Sequence, residues 1–513
     1  MPTTRRLVSL LAAAAAVTTL LSGCFLLPPS TQPHTVTTHT DESVAPGLER
    51  FYTQSLTWKS LGSGIDSAEV TVPLDWAKPS DATITIAIDR HRATSGKSLG
   101  SLLINPGGPG GSGFDFVHNY VDYIVTPTIL QNYDVIGFDP RGVGRSTPVV
   151  CYTDPKKEDA LLYGTYDAAY GSAAWYSQLV GREKDWVAAC QKNTGALLGH
   201  LDAGSVARDM DVIRAVLGDT KMHYLGYSYG TYLGTMYANL FPKKVGRMVL
   251  DGAVDPQVEG ITDLATQMAG FDSALKAYMT SCQATAKNCP FTGSVDDGLQ
   301  QVRALLDGID ARHLVASDGR VLDSATVGTG ISETLYSRES WADLTAMFAD
   351  LGKGKADSTF DQADSYNNRN ADGTYSSNGD DIYAAVTCDE QNLGTDGVDI
   401  TGDLAQIEAK APILGKYFAY DDTAVLEAAC SNWPTKPVTR PTDWSATGAP
   451  PIIVIGTTND PATPYVWAQR LADQLENGHL VTYDGEGHTA YNKGSSCVDG
   501  VIDAYLLQGT VPS

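Results

Sequence analysis

One serine of the chain lies between two glycines, in the segment Gly226-Tyr227-Ser228-Tyr229-Gly230. An apolar run precedes this segment, and the residues that follow it, 231–238, favour a helix. A strand, a sharp turn and a helix in that order present a serine hydroxyl at the tip of the turn, as a nucleophile requires. The glycines let the strand and the helix approach each other. The alternative is an ordinary tight turn, and the choice depends on whether the serine has partner groups.

A serine hydroxyl is a poor nucleophile at neutral pH, so a base must lie within hydrogen-bond reach. Of nine histidines, His488 follows the last predicted strand, in a glycine-containing loop. Asp460 follows the buried strand before it, where a carboxylate could orient the imidazole. The order serine, acid, histidine, each after a strand, is typical of hydrolases with a nucleophile elbow. We therefore predict Ser228 as nucleophile, Asp460 as acid and His488 as base, with Asp251 and Asp255 as alternatives for the acid.

A glycine-rich loop, Asn105-Pro106-Gly107-Gly108-Pro109-Gly110-Gly111-Ser112-Gly113, follows a buried strand. Three of its glycines formally match G-x-G-x-x-G, the dinucleotide-binding pattern. Pro109, however, removes a backbone donor from such a phosphate cradle. The other interpretation is an oxyanion loop, in which glycines let backbone N–H groups point at developing negative charge. We favour the oxyanion loop.

Buried strands alternate with helices in two stretches of the chain, which predicts an α/β fold class with a parallel sheet. Continuous apolar runs typical of buried parallel strands occur at 101–104, 133–138, 247–250 and 451–456. An antiparallel pair, 68–74 with 83–88, is expected at one edge of the sheet. We predict a core of residues 49–256 and 441–513, and a mainly helical cap of residues 257–440.

The N-terminus resembles an export signal. Residues 1–24 contain an arginine pair, an apolar run too short for a confident membrane span, and the ending Leu21-Ser22-Gly23-Cys24. This ending resembles a bacterial lipobox, in which Cys24 would carry the lipid, although an ordinary signal peptide with a chance cysteine is the alternative. Residues 25–48 are predicted to be a flexible tether. We expect an exported protein of the cell envelope, lipid-anchored to the outer face of the membrane, or a secreted one.

The cysteines are consistent with export, because disulfides form outside the cytosol. Setting Cys24 aside leaves seven of the eight cysteines. Sequence cannot fix their connectivity, but three pairs are expected: Cys282 with Cys289, Cys151 with Cys190, and Cys388 with Cys430. Cys497 is the candidate for the unpaired cysteine.

The bulk composition excludes some partners. A formal net charge of −24 argues against nucleic acid, because phosphates would be repelled. Neither a C-x-x-C pair nor an H-E-x-x-H motif occurs in the sequence, so we expect no metal site and no cofactor.

Five motifs together resemble the prolyl aminopeptidase-related serine peptidases, and within them the tripeptidyl aminopeptidases of actinobacteria and a mycobacterial cell-envelope serine protease. The motifs are Pro106-Gly107-Gly108-Pro109-Gly110, Phe138-Asp139-Pro140-Arg141-Gly142, Gly226-Tyr227-Ser228-Tyr229-Gly230, Asp460-Pro461-Ala462-Thr463-Pro464 and Gly487-His488-Thr489. The resemblance covers nearly the whole chain from residue 50. It implies an α/β-hydrolase fold with a mainly helical cap, and exported enzymes that cleave peptides from an N-terminus or at basic residues.

The resemblance also implies further site residues. Gly108 and Tyr229 would supply the backbone oxyanion donors, and Thr463 would help to hold the acid. Glu390, just after a cysteine of the cap, would meet the free ammonium of the substrate, with Asp389 as the alternative and a solvated acidic loop as the simpler interpretation.

We therefore expect an exported serine peptidase that releases short N-terminal fragments, tripeptides in particular, through an acyl-enzyme. Its partners would be peptide or protein substrates and, through Cys24, the membrane. A carboxylesterase or lipase with the same triad is one alternative. A catalytically silent binding module of the envelope is the other.

Overall fold

The computed structural model describes residues 33–257, 260–285, 288–391, 393 and 400–512. These residues form one sheet of ten strands. The strands are β1 (His34–Val36), β2 (Leu56–Gly62), β3 (Ile65–Pro73), β4 (Thr83–His91), β5 (Ser101–Asn105), β6 (Asp134–Phe138), β7 (Met222–Tyr227), β8 (Val245–Asp251), β9 (Ile452–Asn459) and β10 (Gly478–Glu486).

The strand order in the sheet is β1-β2-β3-β4-β6-β5-β7-β8-β9-β10. Strands β5 to β10 pair in parallel with their neighbours among themselves, and β1 to β4 pair antiparallel, as does β4 with β6. β3 and β4 are the antiparallel pair that the sequence predicts. They do not lie at the edge, however, because β2 and β1 continue the sheet beyond them.

The helices of the described residues are α1 (Glu49–Tyr52), α2 (Gly113–Ile124), α3 (Pro127–Asn132), α4 (Pro155–Leu162), α5 (Ala173–Thr194), α6 (Ala203–Val216), α7 (Tyr229–Leu240), α8 (Ile261–Thr285), α9 (Val295–Ile309), α10 (Ser324–Leu335), α11 (Trp341–Gly352), α12 (Asp357–Tyr366), α13 (Gly379–Glu390), α14 (Ile400–Lys410), α15 (Gly415–Ala419), α16 (Leu426–Cys430), α17 (Tyr465–Gln474) and α18 (Ser496–Gln508).

Helices cover both faces of the sheet. On one face the hydrophobic core includes α6, α7 and α17, and on the other it includes α2, α3 and α18. The central strands are therefore buried on both sides, which explains why β5, β7, β8 and β9 are continuous apolar runs. Strands of this kind carry the site residues at their carboxyl ends.

Helices α8 to α16 and their connections form a second layer, which we call the cap. Helices α8 to α12, α14 and α15 share a hydrophobic cluster of their own, with members such as Met268, Leu275, Val327 and Phe348. Helices α13 and α16 pack into the same cluster as α6 and α7. An α/β core with a mainly helical cap is the fold class that the sequence predicts. The boundaries at 257 and 440 stay predictions.

Helices α4 and α5 add to this layer although they precede α6 in the chain. Trp175 and Leu179 of α5 pack with Ala428 of α16 and with Ala424, just before it, in a small apolar cluster. The segment between β6 and α6 therefore supports the cap, a contribution that the sequence patterns did not indicate.

Residues 33–48 lie on the core and differ in this respect from the flexible tether predicted for 25–48. β1 pairs with β2. Glu42 accepts a hydrogen bond from Arg214 at 2.6 Å and forms an ion pair with Lys244. The edge strand of a sheet has unpaired backbone N–H and C=O groups, with which such a segment can form hydrogen bonds. Backbone pairing of this kind does not require a hydrophobic pattern, so the sequence did not predict it.

Three disulfides join Cys151 to Cys190, Cys282 to Cys289, and Cys388 to Cys430, so the expectation of disulfide bonds is confirmed. Cys497 is free and exposed. Cys24 lies outside the described residues. Within the part of the chain that the structure describes, no helix has the length and apolar character needed to cross a membrane.

Candidate active site

Ser228 occupies a sharp turn between β7 and α7, with φ 54° and ψ −127°, a strained conformation for a residue with a side chain. A Cβ on Gly226 would lie 2.4 Å from the carbonyl oxygen of Gly230, and a Cβ on Gly230 would lie 2.6 Å from that of Asn105. Close packing therefore requires both glycines. The Ser228 N–H donates to the carbonyl of Asp251 at 3.0 Å, which fixes the turn against β8. We call residues 226–230 the elbow.

The glycine-rich loop after β5 packs against the elbow. A Cβ on Gly107 would lie 2.6 Å from the carbonyl oxygen of Tyr227 and 2.8 Å from the amide nitrogen of Tyr229. The side-chain oxygen of Asn105 holds the loop by accepting the Gly107 N–H at 2.9 Å. Tyr229 begins α7, so its N–H has no partner within the helix. The Gly108 N–H donates to no group among the described residues. These are the two amides predicted to bind an oxyanion.

The far side of the same loop is also enclosed. A Cβ on Gly110 would lie 2.7 Å from the carbonyl oxygen of Gly379, at the start of α13. Asp139 accepts hydrogen bonds from the Ser112 hydroxyl at 2.5 Å and from the Phe114 N–H at 3.1 Å, which fixes the end of the loop. A loop enclosed between the elbow and α13 does not offer the open cradle that a dinucleotide pyrophosphate needs.

Asp460 follows β9, His488 follows β10, and the structure brings them together. The imidazole Nδ1 lies 2.9 Å from each carboxylate oxygen of Asp460. Asp460 is 2% exposed, and its Oδ1 accepts the N–H groups of Ala462 and Thr463, both at 2.9 Å. The Thr463 hydroxyl lies 3.1 Å from Asp460 Oδ2 and 3.3 Å from His488 Nδ1. This arrangement favours a proton on Nδ1 and leaves Nε2 to accept another.

His488 Nε2 is buried, and it has no hydrogen-bond partner among the described residues. Burial opposes the charged imidazolium, but the charge of Asp460, its hydrogen bond and the charge of Asp251 outweigh this effect, so the pKa of His488 is raised above 6.5. A Cβ on Gly252 would lie 3.0 Å from His488 Cε1. Gly252 directly follows Asp251, whose carbonyl accepts the Ser228 N–H. The imidazole therefore lies beside the elbow. Such a ring can accept a proton from a nearby hydroxyl.

The two alternative acids are engaged elsewhere. Asp251 accepts the N–H groups of Ala490, at 3.0 and 3.1 Å, and of Tyr491, at 2.9 Å. Asp255 accepts a hydrogen bond at 2.8 Å from a glutamine side chain of α17. Neither carboxylate forms a hydrogen bond with His488 among the described residues. Asp251 instead shapes the loop that carries the histidine.

Glu390, at the end of α13, is 8% exposed and lies next to the elbow. The Tyr229 hydroxyl donates to both of its carboxylate oxygens at 3.1 Å, and the Ala203 N–H donates to one of them at 2.6 Å. Burial, reinforced by the charge of Asp202, raises the pKa of Glu390 to about 7. A buried carboxylate of this kind is stabilised by a cation that a ligand brings.

Asp389 has a different environment, although it was the alternative to Glu390. It accepts hydrogen bonds from the Leu201 N–H at 3.1 Å, the Trp433 indole at 3.2 Å and the Thr435 hydroxyl at 2.9 Å. Burial raises the pKa of Asp389 to about 7. With these partners it fixes the segment after α16 and is not positioned as a ligand for substrate.

One group of metal-type ligands occurs among the described residues, formed by Cys151, Cys190 and Asp381, with ligand atoms within 4.8 Å of one another. Both sulfurs belong to a disulfide, so a single carboxylate remains. This group does not fit a metal ion.

Two family models match the chain, one described as alpha/beta hydrolase fold over residues 100–293 and one described as TAP-like protein over residues 416–513. Serine protease Hip1 of Mycobacterium tuberculosis is 34% identical, over 88% of this chain and 87% of its own length. Carboxylesterase B of the same species is 38% identical, over 87% and 84%. Tripeptidyl aminopeptidase of Streptomyces lividans is 30% identical, over 88% and 83%.

The chain belongs to this TAP-like α/β-hydrolase family. The family resemblance predicted from the five motifs is thereby confirmed, as is the α/β-hydrolase fold. A solved structure of proline iminopeptidase from Mycobacterium smegmatis is 15% identical, with a TM-score of 0.33 over 85% of this chain and 97% of that chain, a likeness too weak to carry an argument.

Sequence reasoning missed one contact of this TAP-like hydrolase that crosses from the cap to the core. The carbonyl of Tyr336, which follows α10, accepts the backbone N–H of His488 at 2.8 Å. The Tyr336 ring also meets the imidazole edge-on, with centroids 5.4 Å apart. Every residue has a main-chain carbonyl, so the sequence alone could not indicate which carbonyl binds the His488 N–H.

Proposed function

We propose that this TAP-like α/β-hydrolase is a serine peptidase that releases short N-terminal fragments, tripeptides in particular. The observation that carries the proposal is a His488–Asp460 pair beside a strained Ser228, with the buried Glu390 carboxylate close to the same serine. The first three groups suit acyl transfer. The fourth suits a substrate with a free ammonium group.

In the proposed reaction, the Ser228 hydroxyl attacks the scissile carbonyl carbon while His488 Nε2 takes the proton. The N–H groups of Gly108 and Tyr229 bind the resulting oxyanion, and loss of one such donor typically costs on the order of 10²–10³ in rate. His488 then gives its proton to the leaving amine, the C–N bond breaks, and an ester to Ser228 remains. Water, deprotonated by His488, attacks this ester and releases the acid.

The position of Glu390 supports a short acyl fragment. Its carboxylate accepts a hydrogen bond of 3.1 Å from the side-chain hydroxyl of Tyr229, the residue next to Ser228. An extended chain spans at most about 3.5 Å per residue, so a tripeptide reaches about 10 Å. In the proposed complex a fragment of this length bridges the serine and the carboxylate, with its ammonium bound by Glu390.

We also propose that the enzyme is exported and held at the outer face of the membrane by a lipid on Cys24. The N-terminal pattern supports this location, although residues 1–32 lie outside the described part of the chain. The three disulfides support it independently, because such bonds persist mainly in oxidising compartments.

The test is a comparison of Ala-Ala-Ala-coumarin amide with its N-acetylated form and with p-nitrophenyl esters. We expect turnover of the free-amine tripeptide, little turnover of the acetylated one, and loss of both turnover and fluorophosphonate labelling in Ser228→Ala. Ser80→Ala, at an exposed serine, is the matched control and should retain both activities.

Carboxylesterase activity is the second candidate, because one relative that covers most of the chain carries that name. Turnover of esters without release of tripeptides would establish it in place of the peptidase. Absence of labelling in the unmodified protein would refute both.

A further inference from the structure

A cavity of about 170 Å³ lies beside the histidine of the site. It is more than ten times the ~10–15 Å³ that a cavity needs to hold one water molecule. Its walls combine aromatic and apolar groups with one lysine, and include Pro106, Phe116, Tyr123, Tyr227, His488 and Lys493. Space of this size and character suits one amino-acid residue rather than a second protein chain.

The cavity lies on the leaving-group side of the proposed reaction. His488 must hand its proton to the nitrogen that departs, so the residue that carries this nitrogen has to pass along the imidazole. Glu390 and Tyr229, which face the other end of the substrate, do not line this cavity. The acyl fragment and the departing residue therefore have separate places, since Glu390 lies outside the cavity that His488 lines.

Lys493 is the lysine in the wall of this cavity. Its Nζ lies 2.9 Å from the centroid of the Tyr123 ring. Among the described residues it has neither a hydrogen bond nor a carboxylate within 4.0 Å. Asp251 and Glu339 act on it only from a greater distance. An ammonium group held by a ring face alone retains unused N–H donors, and a carboxylate is their strongest partner.

Burial lowers the pKa of Lys493 to about 8, so the group is still mostly charged at pH 7. Lys493 is partly buried, and an ion pair in such a place is screened less by water than one at the surface. The aromatic walls of the cavity favour an apolar side chain on the bound residue.

We propose that this cavity is the subsite for the first residue of the departing peptide, and that Lys493 recognises a carboxylate on that residue. The carboxylate is either the C-terminal carboxylate of a single departing residue or the side chain of an acidic one. This inference rests on the proposed peptidase function. It predicts that peptides ending one residue beyond the scissile bond are preferred substrates.

The test compares Ala-Ala-Ala-Phe as the free acid with the same peptide as its C-terminal amide, by the ratio of their kcat/KM values. We expect a ratio of at least about ten in favour of the acid, equivalent to about 1.4 kcal/mol. In Lys493→Met the ratio should fall to near one, and Lys493→Arg should restore part of it. Lys97→Met, at an exposed lysine, is the matched control and should keep the unmodified ratio.

A second pair of substrates, Ala-Ala-Ala-Glu-amide and Ala-Ala-Ala-Gln-amide, separates the two sources of the carboxylate. A preference for Glu that disappears in Lys493→Met would assign recognition of an acidic side chain as well. The inference would be overturned, with the peptidase left intact, if the unmodified enzyme cleaved the acid and the amide of the Phe peptide equally and also cleaved the Glu and Gln peptides equally. A preference in either pair that stayed unchanged in Lys493→Met would overturn it as well. If no Ala-Ala-Ala is released from any of these peptides, the proposed function itself fails and the inference with it.

Discussion

Replacement of Asp460 by asparagine is expected to abolish most of the activity through the histidine and not through the fold. Oδ1 of Asp460 accepts two backbone N–H groups, from Ala462 and Thr463, so the amide oxygen of an asparagine would take that position. Its NH₂ group would then face Nδ1 of His488 and donate to it. The ring would carry its proton on Nε2, where it could no longer accept one from Ser228. A wrong tautomer of this kind lowers kcat by about 10⁴.

Asp251→Asn is the matched control, because this second buried aspartate, at the end of β8, binds the loop that carries the histidine but forms no hydrogen bond with the imidazole. Its carboxylate accepts the N–H groups of Ala490 and Tyr491. Burial raises the pKa of Asp251 to about 6, so the group is ionised at pH 8. Loss of hydrogen bonds to a charged acceptor should lower the free energy of unfolding by at most about 1.5–3 kcal/mol, because removal of a buried charge offsets part of the loss. The folded fraction should keep far more activity than the Asp460 variant.

Both variants are to be measured at pH 8 for turnover of Ala-Ala-Ala-coumarin amide, for fluorophosphonate labelling, and for unfolding by denaturant. The expected result is an inactive, stable Asp460→Asn and an active, less stable Asp251→Asn. The opposite pattern would refute the assignment of the acid and make Asp251 the partner of the histidine.

Three further outcomes are expected. Gly107→Ala should lower kcat by on the order of 10², because the added Cβ would displace the loop that carries an oxyanion donor; Gly96→Ala, which also has a positive φ but open space around it, controls for backbone strain, and equal losses would contradict the explanation. The value of kcat/KM should rise with pH through a midpoint above 6.5, since only neutral His488 accepts a proton and its pKa is raised; a midpoint at or below 6.5 would contradict the stated cause. Glu390→Gln should remove the preference for free-amine over N-acetylated tripeptides, mainly through KM, and an unchanged preference would show that the ammonium binds elsewhere.

The candidate triad could be located from the sequence because the carboxyl ends of parallel strands meet at one edge of a sheet. Ser228 and Asp460 each follow a buried strand that the hydrophobic pattern of the sequence predicts. His488 follows β10, a partly exposed strand at the edge of the sheet. The glycines of the elbow also indicated the site from the sequence, because the close packing of the turn leaves no room for a side chain at those positions.

Other features of the structure could not be predicted, because they do not depend on a pattern in the sequence. Glu390 and Asp389 are neighbours at the end of α13, and only the course of the helix decides which of them faces the elbow. The attachment of β1 to the sheet depends on backbone hydrogen bonds that any residue can form. Lys493 belongs to the cavity because the loop after β10 packs on α2, a tertiary contact without a local motif.

The contact of Tyr336 with His488 has a consequence for how such enzymes diversify. His488 follows strand β10 of the core, and its backbone N–H donates to a main-chain carbonyl of the cap. A chimera that received the cap of a relative would need a carbonyl at the same point in space, or the backbone N–H of its histidine would lose its acceptor. Exchange of caps between homologues is therefore constrained by the chemistry itself, and not only by the choice of substrate.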